Sequence, residues 1–517
     1  MAEPTGTTPD GGSPPHTHHG AGGVGGGHAR GEPLEVYQPA TEEEMERADV
    51  VLDKRLLHWM NTLSPRYLLL TLFLGTIVLA GFVTWGIQMN KGIGIAGIRR
   101  PVEWGFYITN FVFWIGISHS GTLISAILRV LKVDWRTPLT RAAELMTAFA
   151  LMIGALFPLI HLGRSWRFYW LLPYPNNRQL WPNFHSPLLW DMLAIFTYLT
   201  TSLLFLYLPL IPDLAALRQR TGGIRGRIYG VLSLRWRGSQ QQWTRLELAM
   251  RILTIIVIPV AVSVHSIVSW DFAMTQQPGW NSTIFAPYFV IGAIFSGTAA
   301  LISVLIVLRR ALGLQEYLTL RIFDRLGKML QAIVVIWFYF FFADFLTSWY
   351  SARPAEHAID ELHLFGAAAP IFWSMLVFCF LIPFALLWFK RVRMSMKLML
   401  AITLLINVGM YEERYLIVVT SLMRNNLSYE WGTYAPHWPE LVITAMTFAM
   451  FGFLYVVVSK LVPMVSLWEV KWGWRVARWK RKGIEEIESG MPEAGQSRVS
   501  GPAVGPAAGA AAGGEVP

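Results

Sequence analysis

The 517 residues contain one cysteine, Cys379. A lone thiol cannot close an intrachain disulfide or build a Cys-ligated iron–sulfur cluster or zinc site. No C-x-x-C-H sequence is present to attach a c-type haem. Charge is also scarce, with Asp, Glu, Lys and Arg together making up 15% of the chain. Apolar residues dominate instead: 54% are hydrophobic, 23 are tryptophan, and mean hydropathy is positive. This profile fits a polytopic, all-α membrane protein. The net charge of +10 does not point to nucleic acid, because the cations lie in loops between apolar runs, where they set topology.

Residues 1–40 are rich in Gly, Pro, Thr and His and read as a disordered tail, PPHTHHG (14–20) included. Thr41 and Glu44 form a capping-box pattern. It opens an amphipathic helix at the membrane surface over 41–66, with Leu52, Leu56, Trp59 and Met60 on its apolar face. The first long apolar run starts near 67 and has full membrane length, so it reads as a span rather than a secretory signal.

Ten spans are expected: 67–89, 105–130, 139–163, 187–211, 246–272, 285–309, 328–350, 367–389, 396–420 and 440–462. Loop 212–245 holds Arg218, Arg220, Arg225, Arg227, Arg235, Arg237 and Arg245, whereas loop 273–284 has no Lys or Arg. The positive-inside rule then places both termini in the cytoplasm. The Trp- and Lys/Arg-rich segment 463–482 reads as an interfacial anchor, and 483–517 as a second disordered tail.

SGTLISAILRVL (120–131) and SGTAALISVLIVLRR (296–310) resemble each other. They suggest a parallel repeat of two four-helix bundles, 105–272 and 273–420. These are flanked by a first helix and loop (67–104) and a last helix (421–462).

Ionisable residues inside spans are costly, which makes them functional candidates. His161 ends LFPLIH at the outer lip of the third span. Asp191 falls about a turn into the fourth, behind Ser186 as N-cap and Pro187 at the first helical position. Both lie about 5 Å below the lip, so adjacent antiparallel helices can bring them together. The pair would exchange protons near neutral pH, or simply join two helices. Asp271 ends the fifth span at the same depth. His265, six residues deeper, faces about 120° away from it. Asp344 occupies the matching place in the second bundle and reads as structural. His119, Glu144 and Arg129, with Arg141, suggest a polar path inward, although Glu144 paired with an inner arginine is the plainer alternative.

The stretches GISHSGTLISAI (116–127) and FPLIHLGR (157–164) with SPLLWD (186–191) resemble the NrfD/PsrC family of membrane quinone-binding subunits. Within it they resemble most the ActC subunits of alternative complex III. The resemblance covers about 60–470. It implies two four-helix bundles and a menaquinol site near the outer face of a bacterial inner membrane. It also implies an oxidoreductase complex with a periplasmic iron–sulfur subunit, a multihaem cytochrome c and further membrane subunits. Lipids and quinone are the other expected partners, and no metal, haem or iron–sulfur cluster is expected in the chain itself. By position, His161 and Asp191 become the quinol-binding, proton-accepting residues, joined by Asp271 and Arg164. Proton translocation would run through His119, Glu144 and Arg129. A secondary transporter, a haem b cytochrome and a quinone-free anchor for soluble redox subunits are the rival readings.

Overall fold

A computed structural model describes residues 58–470, apart from 173, 175, 177, 178, 180 and 182. The two tails, most of the expected surface helix at 41–66, and 471–482 of the basic segment lie outside the described residues. Within them the chain is helical, and its one β-bridge is the isolated pair Arg99 and Val102.

The helices run α1 (Pro65–Lys91), α2 (Gly105–Val130), α3 (Thr137–His161), α4 (Pro187–Arg220), α5 (Gly223–Leu232) and α6 (Gln240–Ala273). They continue with α7 (Phe285–Ala311), α8 (Leu320–Ser351), α9 (Pro354–Leu364), α10 (Ala369–Leu386), α11 (Met396–Tyr415) and α12 (Trp438–Leu461). Local chemistry starts several of them. Ser64 accepts the Tyr67 N–H with Pro65 behind it, and Ser239 and Gln242 cap α6 reciprocally.

Nine of these helices are long and apolar enough to cross a membrane, so the chain is a multi-pass integral membrane protein. The tenth expected run, 396–420, also packs as a helix within the bundle, but Lys397, Glu412, Glu413 and Arg414 make it less apolar than the other nine. α4, α6 and α8 outrun their apolar windows by several residues. Their added turns carry Arg, Gln and Leu, which sustain a helix without being hydrophobic enough to be read as membrane.

α2, α3, α4 and α6 pack as a closed ring, with α2 against α3 and α6, and α4 against both. α7, α8, α10 and α11 repeat this ring in the same order. α1 and α12 pair with each other, and α12 also touches α2 and α3. α2 is the spine: 94% of its apolar window is buried, against 11% for the peripheral α1.

The rings join where α2 meets α7, and close approach explains both glycines of the repeated Ser-Gly, Gly297 at this seam and Gly121 against α3. A side chain at Gly297 would collide with Ser120, and one at Gly121 with the Ala143 carbonyl and Thr147. Thr147 Oγ1 uses this closeness to accept the Thr122 backbone N–H at 2.8 Å. Small residues at crossings let helix backbones approach closely in a bilayer. Gly297→Val is therefore expected to destabilise the fold by roughly 1–3 kcal/mol. The check is a lowered thermal unfolding midpoint of the purified protein.

Candidate functional site

One mouth of the first ring, expected to be the outer one, is built by the start of α4 and the end of α6. Ser186 has the extended backbone of an N-cap (φ −78°, ψ 126°), but its hydroxyl makes no capping bond. Pro187 sets the first turn, and Asp191 follows one turn later, only 6% exposed. From α6, Asp271 arrives 7% exposed. The preceding residues lock the two helix ends together: the Trp190 and Trp270 rings meet edge to face, centroids 6.4 Å apart. Trp190 Nε1 also donates to the Phe184 carbonyl at 2.8 Å. Asp191 and Asp271 are thus close enough for the charge of one to act on the other. In each, Oδ1 is buried without a hydrogen-bond partner. Buried carboxyl oxygens with unused acceptor capacity are unusual and call for an explanation other than packing.

His161 ends α3 half-buried, with Nδ1 enclosed and unpartnered. Among the described residues no hydrogen bond or ion pair joins it to Asp191. The acidic group acting on it is Glu103, from the loop before α2. The expected His161–Asp191 pairing is therefore not made by a hydrogen bond or ion pair, and the acid within electrostatic reach of Asp271 is Asp191. Equal depth does not fix the direction in which two side chains point around their helices. The turn before His161 is pinned by a residue that hydropathy hides: Gln88 of α1 donates to the Ile160 carbonyl at 3.2 Å and accepts from Tyr107. Arg164 is exposed, and Arg167 lies over Trp170 at 4.7 Å.

About 10 Å deeper, at 1.5 Å per residue, is a second layer. His119 of α2 stacks on Tyr198 of α4, with centroids 4.3 Å apart, and its ring meets His265 of α6 at 4.8 Å. His119 Nδ1 contacts the Ile115 carbonyl at 2.6 Å, while Nε2 is unpartnered. His265 has neither ring nitrogen hydrogen-bonded. His119 and His265, on different helices, thus share one depth in the ring. Rings this close leave no room for a porphyrin between them, so as placed they cannot be its opposed axial ligands.

The inner end carries buried charge. Glu144 accepts from Ser125 at 3.4 Å and sits 4.0 Å from Arg141 Nε. Arg141 commits its Nη2 to Asp213 at 3.0 Å and to the Pro209 carbonyl at 3.1 Å. Arg129 and Arg136 hold Glu469 at 2.6 and 3.6 Å. Burial alone would push the Glu469 carboxyl up, but these arginines prevail and hold it below the usual glutamate range. Trp468, beside it, donates its backbone N–H to Asp213 and its indole N–H to the Pro209 carbonyl. The described part of the expected interfacial segment therefore folds back against the first ring. Asp213 and Glu469 were not expected here, since both fall just past the ends of apolar runs, where charges read as loop.

Among the described residues, no three His, Cys, Asp or Glu are grouped to hold a metal ion. The site is thus a layered polar column inside a helical membrane ring. The chain belongs to the NrfD family: the family model described as polysulphide reductase, NrfD, matches residues 95–426. Curated relatives agree. A putative membrane subunit of a dimethyl sulfoxide reductase from Halobacterium salinarum is 28% identical over 46% of this chain and 51% of its own length. A selenate reductase subunit from Mesobacillus selenatarsenatis is 26% identical, over 58% and 70% respectively. The integral membrane subunit of an Hdr-like menaquinol oxidoreductase from Archaeoglobus fulgidus is 20% identical, over 69% and 80%. The alignment thus spans about half the length of the first of these relatives and more of the other two.

Proposed function

We propose that this chain is the quinol-binding membrane subunit of an oxidoreductase complex, oxidising menaquinol at the mouth of its first ring. The neighbouring buried carboxylates of Asp191 and Asp271, each with Oδ1 unpartnered, carry the reading. Quinol oxidation releases two protons and two electrons. Asp191 and Asp271 accept hydrogen bonds from the ring hydroxyls and then the protons, while His161 and Arg164 border the mouth and orient the head group. The apolar helix faces around the mouth suit an isoprenoid tail. The electrons pass to a partner, for which the reading takes a periplasmic iron–sulfur subunit and, beyond it, a multihaem cytochrome c, as in complexes of the ActC type. Arg-rich loops on the opposite face support a cytoplasmic position for both termini in a bacterial inner membrane.

In the assembled complex, His161→Ala should slow menaquinol-dependent electron transfer without changing which subunits assemble. Full turnover in that variant and in the carboxylate variants would make the chain a quinone-free anchor. Solute uptake by proteoliposomes lacking any redox partner would make it a transporter.

The column below the mouth supports a further role in moving protons through His119, Glu144 and Arg129. Glu144→Gln should lower the proton-to-electron ratio in proteoliposomes while quinol oxidation continues. An unchanged ratio would remove Glu144 from the path.

A further inference from the structure

The second ring has its own mouth, and a cavity of about 560 Å³ opens there. It lies between the first turns of α7, the last turns of α8, helix α9 and the end of α11, at the same membrane face as Asp191 and Asp271. We infer that this cavity is a second binding site for the head group of a hydroquinone, the counterpart in the second ring of the mouth in the first. The inference rests on the reading that hydroquinones are this chain's ligands.

Three observations carry it. The first is size and wall chemistry: the volume falls in the range of small-molecule sites. Phe341, Phe345, Phe372 and Tyr288 supply aromatic faces against which a fused ring system can lie. Phe341 and Phe345 are half-buried on α8, a helix with only 28% of its apolar window enclosed, so the walls continue toward lipid where a tail would leave.

The second is the polar complement, which favours a ligand that donates hydrogen bonds. Asp344 holds one bond, from Ser282 at 2.8 Å. Glu413, 2% exposed, receives Trp337 Nε1 at 2.9 Å and the Tyr288 hydroxyl at 2.5 Å on Oε1. Its Oε2 accepts no hydrogen bond and has only an ion contact with Arg414 Nη1 at 3.3 Å. His363 is bound to Thr420 at 2.6 Å and lies parallel to Phe372. On α9, outside the spans, burial pushes His363 down to about 4 and Asp360 up to about 6. His363 is therefore uncharged at neutral pH. Carboxyl acceptors from Asp344, Asp360 and Glu413 thus reach the space beside hydroxyl groups and Arg353, and they can receive two phenolic hydroxyls. No three of these groups converge as a metal site would demand.

The third is position. The rings share one packing order, and the cavity stands at the same end of its ring as the carboxylate pair does in the other. Its wall includes Leu416 and Ile417 from the π-helical turn Leu416–Thr420, a device that recurs at functional sites.

The test is a fluorescence-quench titration of the assembled complex with a heptyl-hydroxyquinoline N-oxide, a non-reducible quinol analogue. Ser348→Phe, which fills the cavity from its wall, should remove one binding equivalent per chain relative to wild type. Asp344→Asn should weaken that equivalent tenfold or more, and covers the case in which the phenylalanine variant does not assemble. Asp191→Asn should affect a different equivalent. If Asp344→Asn, and Ser348→Phe where it assembles, leave number and affinity unchanged, the cavity holds water only and the inference falls. If Ser348→Phe removes an equivalent while Asp191→Asn and Asp271→Asn remove none, the second site stands and the first-ring reading fails.

Discussion

Asp191→Asn should lower menaquinol-dependent electron transfer by at least a factor on the order of 100, the usual contribution of a positioned proton acceptor. Thermal stability should stay the same or rise. The two expectations follow from one observation: Asp191 is buried, yet it makes no hydrogen bond or ion pair with any described residue. The amide has nearly the same shape, breaks no partnership, and removes a carboxylate that is costly to enclose. What it cannot do is take a proton. Asp271→Asn should behave alike. Because the two carboxylates serve one ring, the double variant should be little worse than the more damaging single one. Quinol oxidation rates of intact complex, beside its unfolding midpoint and subunit stoichiometry, decide the matter. Loss of activity accompanied by loss of assembly would show that these groups hold the helices together.

The opposite pattern is expected at the inner end. Arg141→Leu should destabilise the protein by about 3–5 kcal/mol, a large share of ordinary folding stability. Arg141 and Asp213 are each 1% exposed and 3.0 Å apart, and Arg141 also serves the Pro209 carbonyl and stands beside Glu144. Removing the cation strands two enclosed acids. The double variant Arg141→Leu with Asp213→Leu should recover much of the loss, since an apolar pair of similar volume fills the space without unpaired charge. Yield from the membrane and the unfolding midpoint are the readouts. A double variant as poor as the single one would mean that packing, not charge, is at stake.

The sequence made one half of the site legible. Asp191, Asp271, His161, His119 and Glu144 each interrupt an apolar run, and such an interruption is visible without coordinates. Which of them meet is a different kind of information, because it depends on rotation about each helix and on how neighbours cross. On α6 the rise alone separates two residues: six positions put Asp271 and His265 about 9 Å apart along the axis, and His265 lies beside His119. No arithmetic within one helix links α3 to α4, which is why His161 and Asp191, expected at one depth, share no hydrogen bond or ion pair. Gln88, Tyr107 and Tyr198 give no sequence signal, because amides and phenols are commonplace in long spans, although each bonds across helices. The fold was more legible than the site. Apolar length places helices, and the repeated Ser-Gly pointed to two similar rings before any packing was known.

That Ser-Gly seam has a mechanical meaning. Where α2 and α7 touch through glycine, the backbones are too near for one to slide or tilt without carrying the other. The two rings are therefore geared together at this seam, and a ligand that shifted α2 would carry α7 with it. Occupancy on one side would then be communicated to the other with no flexible linker between them.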